Sequence, residues 1–278
     1  MSFLPSVMSE NQPTTASTPY EEGHITIDGL NIGYSKFGSG PNNLLCICGA
    51  VGCYKKDWPL SFLENFDTSL LTIICIDPPG YGTSRPPDRQ QEVNRCMKDA
   101  SFCVKLMQQL GAAPFTVMGW SEGGRTAIHV AGQGGKNLVP RMVLVSTGSR
   151  INKLGAMAFA GMKNTDHWLP NAKAPYLEHC TYDFLRVQWA ALCDVVQQVH
   201  DFCGGRFPSD YVLPKLECKS LILNGGMDRF CGDPKKDFVP VLKHCKVDIH
   251  AQGGHDFYLK YPKWFCARVQ DFIRTNLS

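Results

Sequence analysis

Residues 119 to 124 read GWSEGG, and the first five fit GxSxG, a pattern that carries a serine around a sharp turn between a strand and a helix. Ser121 follows FTVMG, an apolar run of strand character, and precedes EGGRTAIHVAG, a helix-compatible segment. A turn that tight drives the serine toward strained dihedrals, and glycines at 119, 123 and 124 let neighbouring backbone approach closely. The hydroxyl then stands at a helix N-terminus, where partial positive charge favours an oxyanion.

A serine hydroxyl is a weak nucleophile at neutral pH, so the pattern demands a general base and an orienting carboxylate downstream, in the order Ser, Asp or Glu, His. Eight histidines compete for the base. His255, in AQGGHDF, comes directly after the last strand-like run and before the final helix, at the edge from which a base reaches Ser121. His129 falls in the helix after the nucleophile, His167, His179 and His200 in an irregular interval, and His244 and His250 near or within a strand. For the carboxylate, Asp228 closes SLILNGGMD, again just past a strand; Asp233 and Asp237 are its rivals. The acid would accept a hydrogen bond from one imidazole nitrogen, fixing the tautomer and stabilising the imidazolium. Two backbone N–H groups must hold the oxyanion: that of Glu122, next to the nucleophile, and that of Ala50 in CGAVG, where Gly49 and Gly52 permit close approach.

The elements able to place these residues are legible as a rhythm. HITIDGLNIGYSKFG alternates apolar and polar residues around Asp28 and Gly29, the signature of a β-hairpin. Apolar strand cores follow at 44–48, 70–76, 115–119, 142–146, 220–224 and 247–251, with helix-like segments at about 94–110, 122–130 and 263–274. Strands apolar throughout, alternating with helices, predict a doubly wound, mostly parallel eight-stranded α/β sheet with helices on both faces. The predicted organisation is a flexible tail over residues 1–22, a core over 23–150 and 214–278, and a helical lid inserted at 151–213. In the insertion, Phe159, Trp168, Trp189 and Phe202 are candidates for a leaving-group pocket, or for its own core.

Hydrophobic residues at 44% and charged residues at 19% describe an ordinary globular chain of 278 residues. The formal charge of +3 comes without a basic run, so nucleic acid is not an expected partner. No apolar run reaches the length of a membrane span. The thirteen cysteines lie mostly in apolar runs without metal-site spacing, so buried free thiols and a reducing compartment are expected. The first 22 residues hold no Lys or Arg, unlike a leader peptide. A cytoplasmic monomer, with a mitochondrial location as the alternative, acting on a small molecule with neither metal nor organic cofactor, is the resulting expectation.

From about Gly23 to Asn276 the chain resembles the α/β-hydrolase superfamily, and within it the valacyclovir hydrolase, or biphenyl hydrolase-like, branch. The residues that carry this are GWSEGG, against a GWSDGG elbow in that branch, and DPPGYGTSRPPDR at 77–89, against DPxGYGxSRPPDR. The resemblance implies a serine hydrolase that cleaves α-amino acid esters, with the acid after the nucleophile binding the substrate ammonium. Glu122 holds that position. Physically, a carboxylate beside a developing oxyanion opposes catalysis unless a cation accompanies the substrate; as a mere helix N-terminal acid it contributes only about 0.3–1 kcal/mol. Two departures stand out: Glu replaces Asp, and Ala50 replaces a bulkier methionine in the oxyanion loop. A carboxylesterase, thioesterase or carbon–carbon bond hydrolase acting on a substrate without an amine is the alternative, and a catalytically silent scaffold is a further one. Alkyl-aspartate chemistry is disfavoured by serine in the nucleophile position.

Overall fold

The computed structural model describes residues 18–275. Eight strands form one sheet: β1 (Tyr20–Ile27), β2 (Leu30–Phe37), β3 (Asn42–Ile47), β4 (Leu71–Ile76), β5 (Phe115–Trp120), β6 (Arg141–Val145), β7 (Lys219–Gly225) and β8 (Cys245–His250). Their order is β1-β2-β4-β3-β5-β6-β7-β8, with β2 antiparallel to β1 and β4 and every other pairing parallel. The hairpin is closed by Asp28 and Gly29, at φ 51° and 81°, the positive pair that matches a two-residue turn to strand twist. β1 starts at Tyr20, inside the segment expected to be a tail; residues 1–17 lie outside the described residues.

Helices follow the strands. Short α1 (Tyr54–Asp57) and α2 (Leu60–Leu63) come after β3, then α3 (Arg95–Gln109), α4 (Glu122–Leu138), α5 (Lys153–Met162), α6 (Pro170–Leu177), α7 (Tyr182–Phe202), α8 (Pro234–Asp237), α9 (Phe257–Lys260) and α10 (Pro262–Arg274). Period-two burial divides each central strand between two cores. Ile74 and Ile76 of β4 pack with Leu106 of α3 and Ile128 of α4, whereas Ile73 and Cys75 face Phe62, Tyr258 and Phe265. Burial on both faces is why these strands read as continuous apolar runs. Between β6 and β7 only helical elements occur, α5 to α7 among them. This insertion is anchored to the sheet-edge loops: Leu185, Trp189 and Leu192 of α7 pack with Val51 and Tyr81, and Gln188 donates to the Arg89 carbonyl at 3.0 Å. All thirteen cysteines are free. Among the described residues no helix is long and apolar enough to cross a membrane.

Candidate active site

Ser121 sits where β5 turns into α4, with φ 55° and ψ −118°. A non-glycine residue at positive φ is strained and persists only when its surroundings impose it. Here they do. A Cβ on Gly119 would lie 2.0 Å from the Gly123 carbonyl oxygen, and one on Gly123 would lie 2.4 Å from those of Ile47 and Cys48. The start of α4 therefore presses against the ends of β3 and β5, and the serine is pushed outward. Thr147 Oγ1 donates to the Ser121 carbonyl at 2.6 Å and holds the turn from the β6 side.

The chain brings Asp228 and His255 to this point from the ends of β7 and β8. His255 Nε2 is 3.0 Å from Ser121 Oγ, and His255 Nδ1 is 2.9 Å from Asp228 Oδ2. The other Asp228 oxygen accepts from the Phe230 N–H at 2.8 Å. Burial by itself would raise the Asp228 pKa, yet the hydrogen bond and charge of His255 hold it below the ordinary carboxylate value. Trp120, beside the nucleophile, donates Nε1 to the His255 carbonyl at 2.9 Å and so ties the base's loop to β5. Asp233 instead caps α8 by accepting from Lys235 N–H. Two of the rival histidines lie elsewhere: His129 is buried in α4, and His250 stacks on Tyr261.

Ala50 lines the same cavity as Ser121. Among the described residues neither its N–H nor that of Glu122 has an acceptor, as an oxyanion hole requires. The loop is held by two acids that sequence reasoning passed over. Asp57 accepts from Gly49 N–H at 2.9 Å, and Asp77 accepts from Tyr54 N–H at 2.7 Å and from Thr83 Oγ1 at 2.9 Å. Asp77 opens DPPGYG, so the only signal for it lay in that turn-rich motif.

The side chain of Glu122, expected from the resemblance to receive a substrate ammonium, is paired within the protein. Its carboxylate takes Arg95 Nε at 2.8 Å and Nη2 at 2.7 Å, a bidentate pair with both side chains almost wholly buried. Arg89 lies 3.7 Å away and is itself paired with Asp99. Burial would raise the Glu122 pKa; Arg95, by charge and hydrogen bonds, and then Arg89 bring it down to about 2. The cation that satisfies this acid is a guanidinium of the protein, and Glu122 is absent from the cavity lining. A substrate ammonium would have to displace a two-pronged ion pair from a buried site, which is energetically steep.

The cavity over Ser121 has a volume of about 540 Å³. Phe159, Trp168 and Trp189, candidates for a leaving-group pocket or for the insertion's own core, both line the cavity and pack in that core, whereas Phe202 does neither: it is 84% exposed at the end of α7. Arg125, Ser146 and Cys231, none of them singled out from sequence, also line it. Asp228, Cys231 and His255 offer ligand atoms within 4.8 Å of one another. A metal there would have to break the 2.9 Å bond that orients His255.

Residues 42–228 match the family model described as the α/β hydrolase fold. Over 258 residues the chain is 25% identical to the human serine hydrolase BPHL, covering 92% of this chain and 88% of that one. A shorter match, 34% identical over 106 residues, is to a zearalenone hydrolase of Cladophialophora bantiana; it covers 37% of this chain and 38% of that one. Among solved structures, 2-hydroxy-6-oxo-6-phenylhexa-2,4-dienoate hydrolase from Rhodococcus sp. strain RHA1 superposes with a TM-score of 0.75 at 14% identity, over 93% of this chain and 100% of that one. The haloalkane dehalogenase DbeA of Bradyrhizobium elkani does so with 0.71 at 16% identity, over 92% and 98%. Reactions that different on one backbone mean that these structural likenesses carry the fold alone.

Proposed function

We propose that this chain, which belongs to the α/β hydrolase fold family, hydrolyses carboxylic esters through an acyl-enzyme on Ser121. The supporting observation is the continuous relay from Ser121 Oγ through His255 to Asp228, at 3.0 and 2.9 Å. As Oγ attacks the ester carbonyl, its proton passes to His255 Nε2, and Asp228 stabilises the imidazolium across Nδ1. The N–H groups of Ala50 and Glu122 receive the oxyanion. The imidazolium then protonates the departing alkoxide, and a water activated by the same imidazole releases the acid.

The substrate favoured by the geometry lacks an α-ammonium. The reading as an amino-acid esterase rests on the Glu122 carboxylate, and Arg95 occupies both of its oxygens. Two measurements test the proposal. A fluorophosphonate probe should label the protein and fail to label Ser121→Ala; a folded, unlabelled wild type would overturn the hydrolase reading. An amino-acid aryl ester should be cleaved no faster than its N-acetyl form. A tenfold or greater preference for the free amine would restore the ammonium-binding role of Glu122.

A further inference from the structure

Four residues beyond the nucleophile, Arg125 lies one helical turn along α4 and so on the face of the helix that carries Ser121. It lines the catalytic cavity. Its Nε donates to the Gly148 carbonyl at 2.9 Å, and its guanidinium carbon lies 3.6 Å from the centre of the Phe207 ring. These two contacts fix the plane of the fork, while among the described residues its terminal nitrogens have no acceptor and it forms no ion pair. A guanidinium held in this way is prepared for two parallel hydrogen bonds to a carboxylate.

The surrounding charges leave it unmatched. Arg89 pairs with Asp99 and Arg95 with Glu122, so both nearby carboxylates on α3 and α4 are taken and Arg125 is the odd cation. Of the other acids at the cavity, Asp228 serves His255 and Asp256 pairs with Lys260 at 3.2 Å. Cys231 cannot supply the anion, because burial and then the charge of Asp228 push its thiol pKa well up. A second polar group waits in the same wall. Ser146 is fully buried, its Oγ has no partner, and its backbone is held at φ 43°. A buried hydroxyl without a partner is destabilising unless a ligand supplies one.

We propose that Arg125, with Ser146 in the wall of the same cavity, binds a carboxylate carried by the substrate away from the scissile ester, making acidic esters the preferred substrates. This rests on Ser121 as the nucleophile and adds the substrate class. The carboxylate can lie on the acyl half, as in a hemi-ester of a dicarboxylic acid, or on the alcohol half. Phenyl hemi-esters from succinate to suberate, compared with neutral phenyl esters of equal chain length, read the first case; 4-(hexanoyloxy)benzoate, with its free carboxylate, against phenyl hexanoate reads the second. In at least one arm the acidic ester should have a kcat/KM about tenfold or more above its neutral partner. Arg125→Met should remove that preference by lowering kcat/KM for the acidic ester by about the size of the preference, tenfold or more, with a much smaller change for the neutral ester, and Arg125→Lys should keep part of it. Neutral esters preferred in both arms, or equal losses on both ester types in a folded Arg125→Met, would overturn the assignment. Calorimetric titration with adipate separates this from a failure of ester hydrolysis. Binding by wild type that Arg125→Met loses supports the carboxylate site even if no ester turns over, and no binding by either sinks it.

Discussion

Two buried carboxylates stand close to the reacting serine, one beyond β7 and one in the first turn of α4. Asp228 accepts from an imidazole that must gain and lose a proton; Glu122 accepts from a guanidinium that never does. Both are shielded from water, with side chains 1% and 6% exposed. What separates them is the partner: the same functional group meets a titratable imidazole in one place, the relay of the proposed mechanism, and a permanent cation in the other, where it is a fixed strut.

The largest effect should come from breaking the first arrangement. Asp228→Asn keeps the shape and removes the charge that stabilises the imidazolium, so ester turnover should fall roughly 10⁴-fold with the fold intact, as measured by kcat and thermal unfolding. Glu122→Gln should do the reverse. It should cost about 3–5 kcal/mol of stability by leaving Arg95 buried without its counter-charge, while kcat for a neutral ester stays within a few-fold because the backbone N–H remains. Replacing both Arg95 and Glu122 by Met should recover much of the loss in denaturant unfolding.

Acid sharpens the contrast. The Glu122 pKa is depressed to about 2 when folded, so its contribution is complete above the unfolded-state pKa near 4.5 and disappears as pH falls toward 2. The stability gap between wild type and Glu122→Gln should therefore narrow by about 3 kcal/mol over that range. A gap that stays constant with pH would mean that the loss came from packing. The smallest effect belongs to Cys231, whose sulfur lies within 4.8 Å of an Asp228 carboxylate oxygen. Cys231→Ala should lower kcat less than tenfold, since a thiol is a weak donor.

The meeting of Ser121, His255 and Asp228 was readable because each lies shortly past a strand, and parallel strands bring their carboxyl ends to one edge. The hairpin turn and the run of sheet strands were equally legible from periodicity. The Glu122–Arg95 pair was not: the partners lie 27 residues apart and meet only because α3 packs on α4. Periodicity says which face of a helix is buried, never which charge waits on the neighbouring one. Phe202 failed for a related reason, since α7 ends there and its last turn passes beyond the cavity. Arg125 was overlooked because a lone arginine on a helix has no motif; its meaning comes from the carboxylates it lacks.

The 134 residues between Ser121 and His255 also set an order of events as the chain is made. The elbow emerges from the ribosome long before its base, and the Trp120 clasp on the His255 carbonyl cannot close until the end of β8 has docked. Until then the serine is an ordinary alcohol. On the proposed mechanism, reactivity toward an electrophilic probe is thus a reporter of completed folding, switched on by the last strand to arrive.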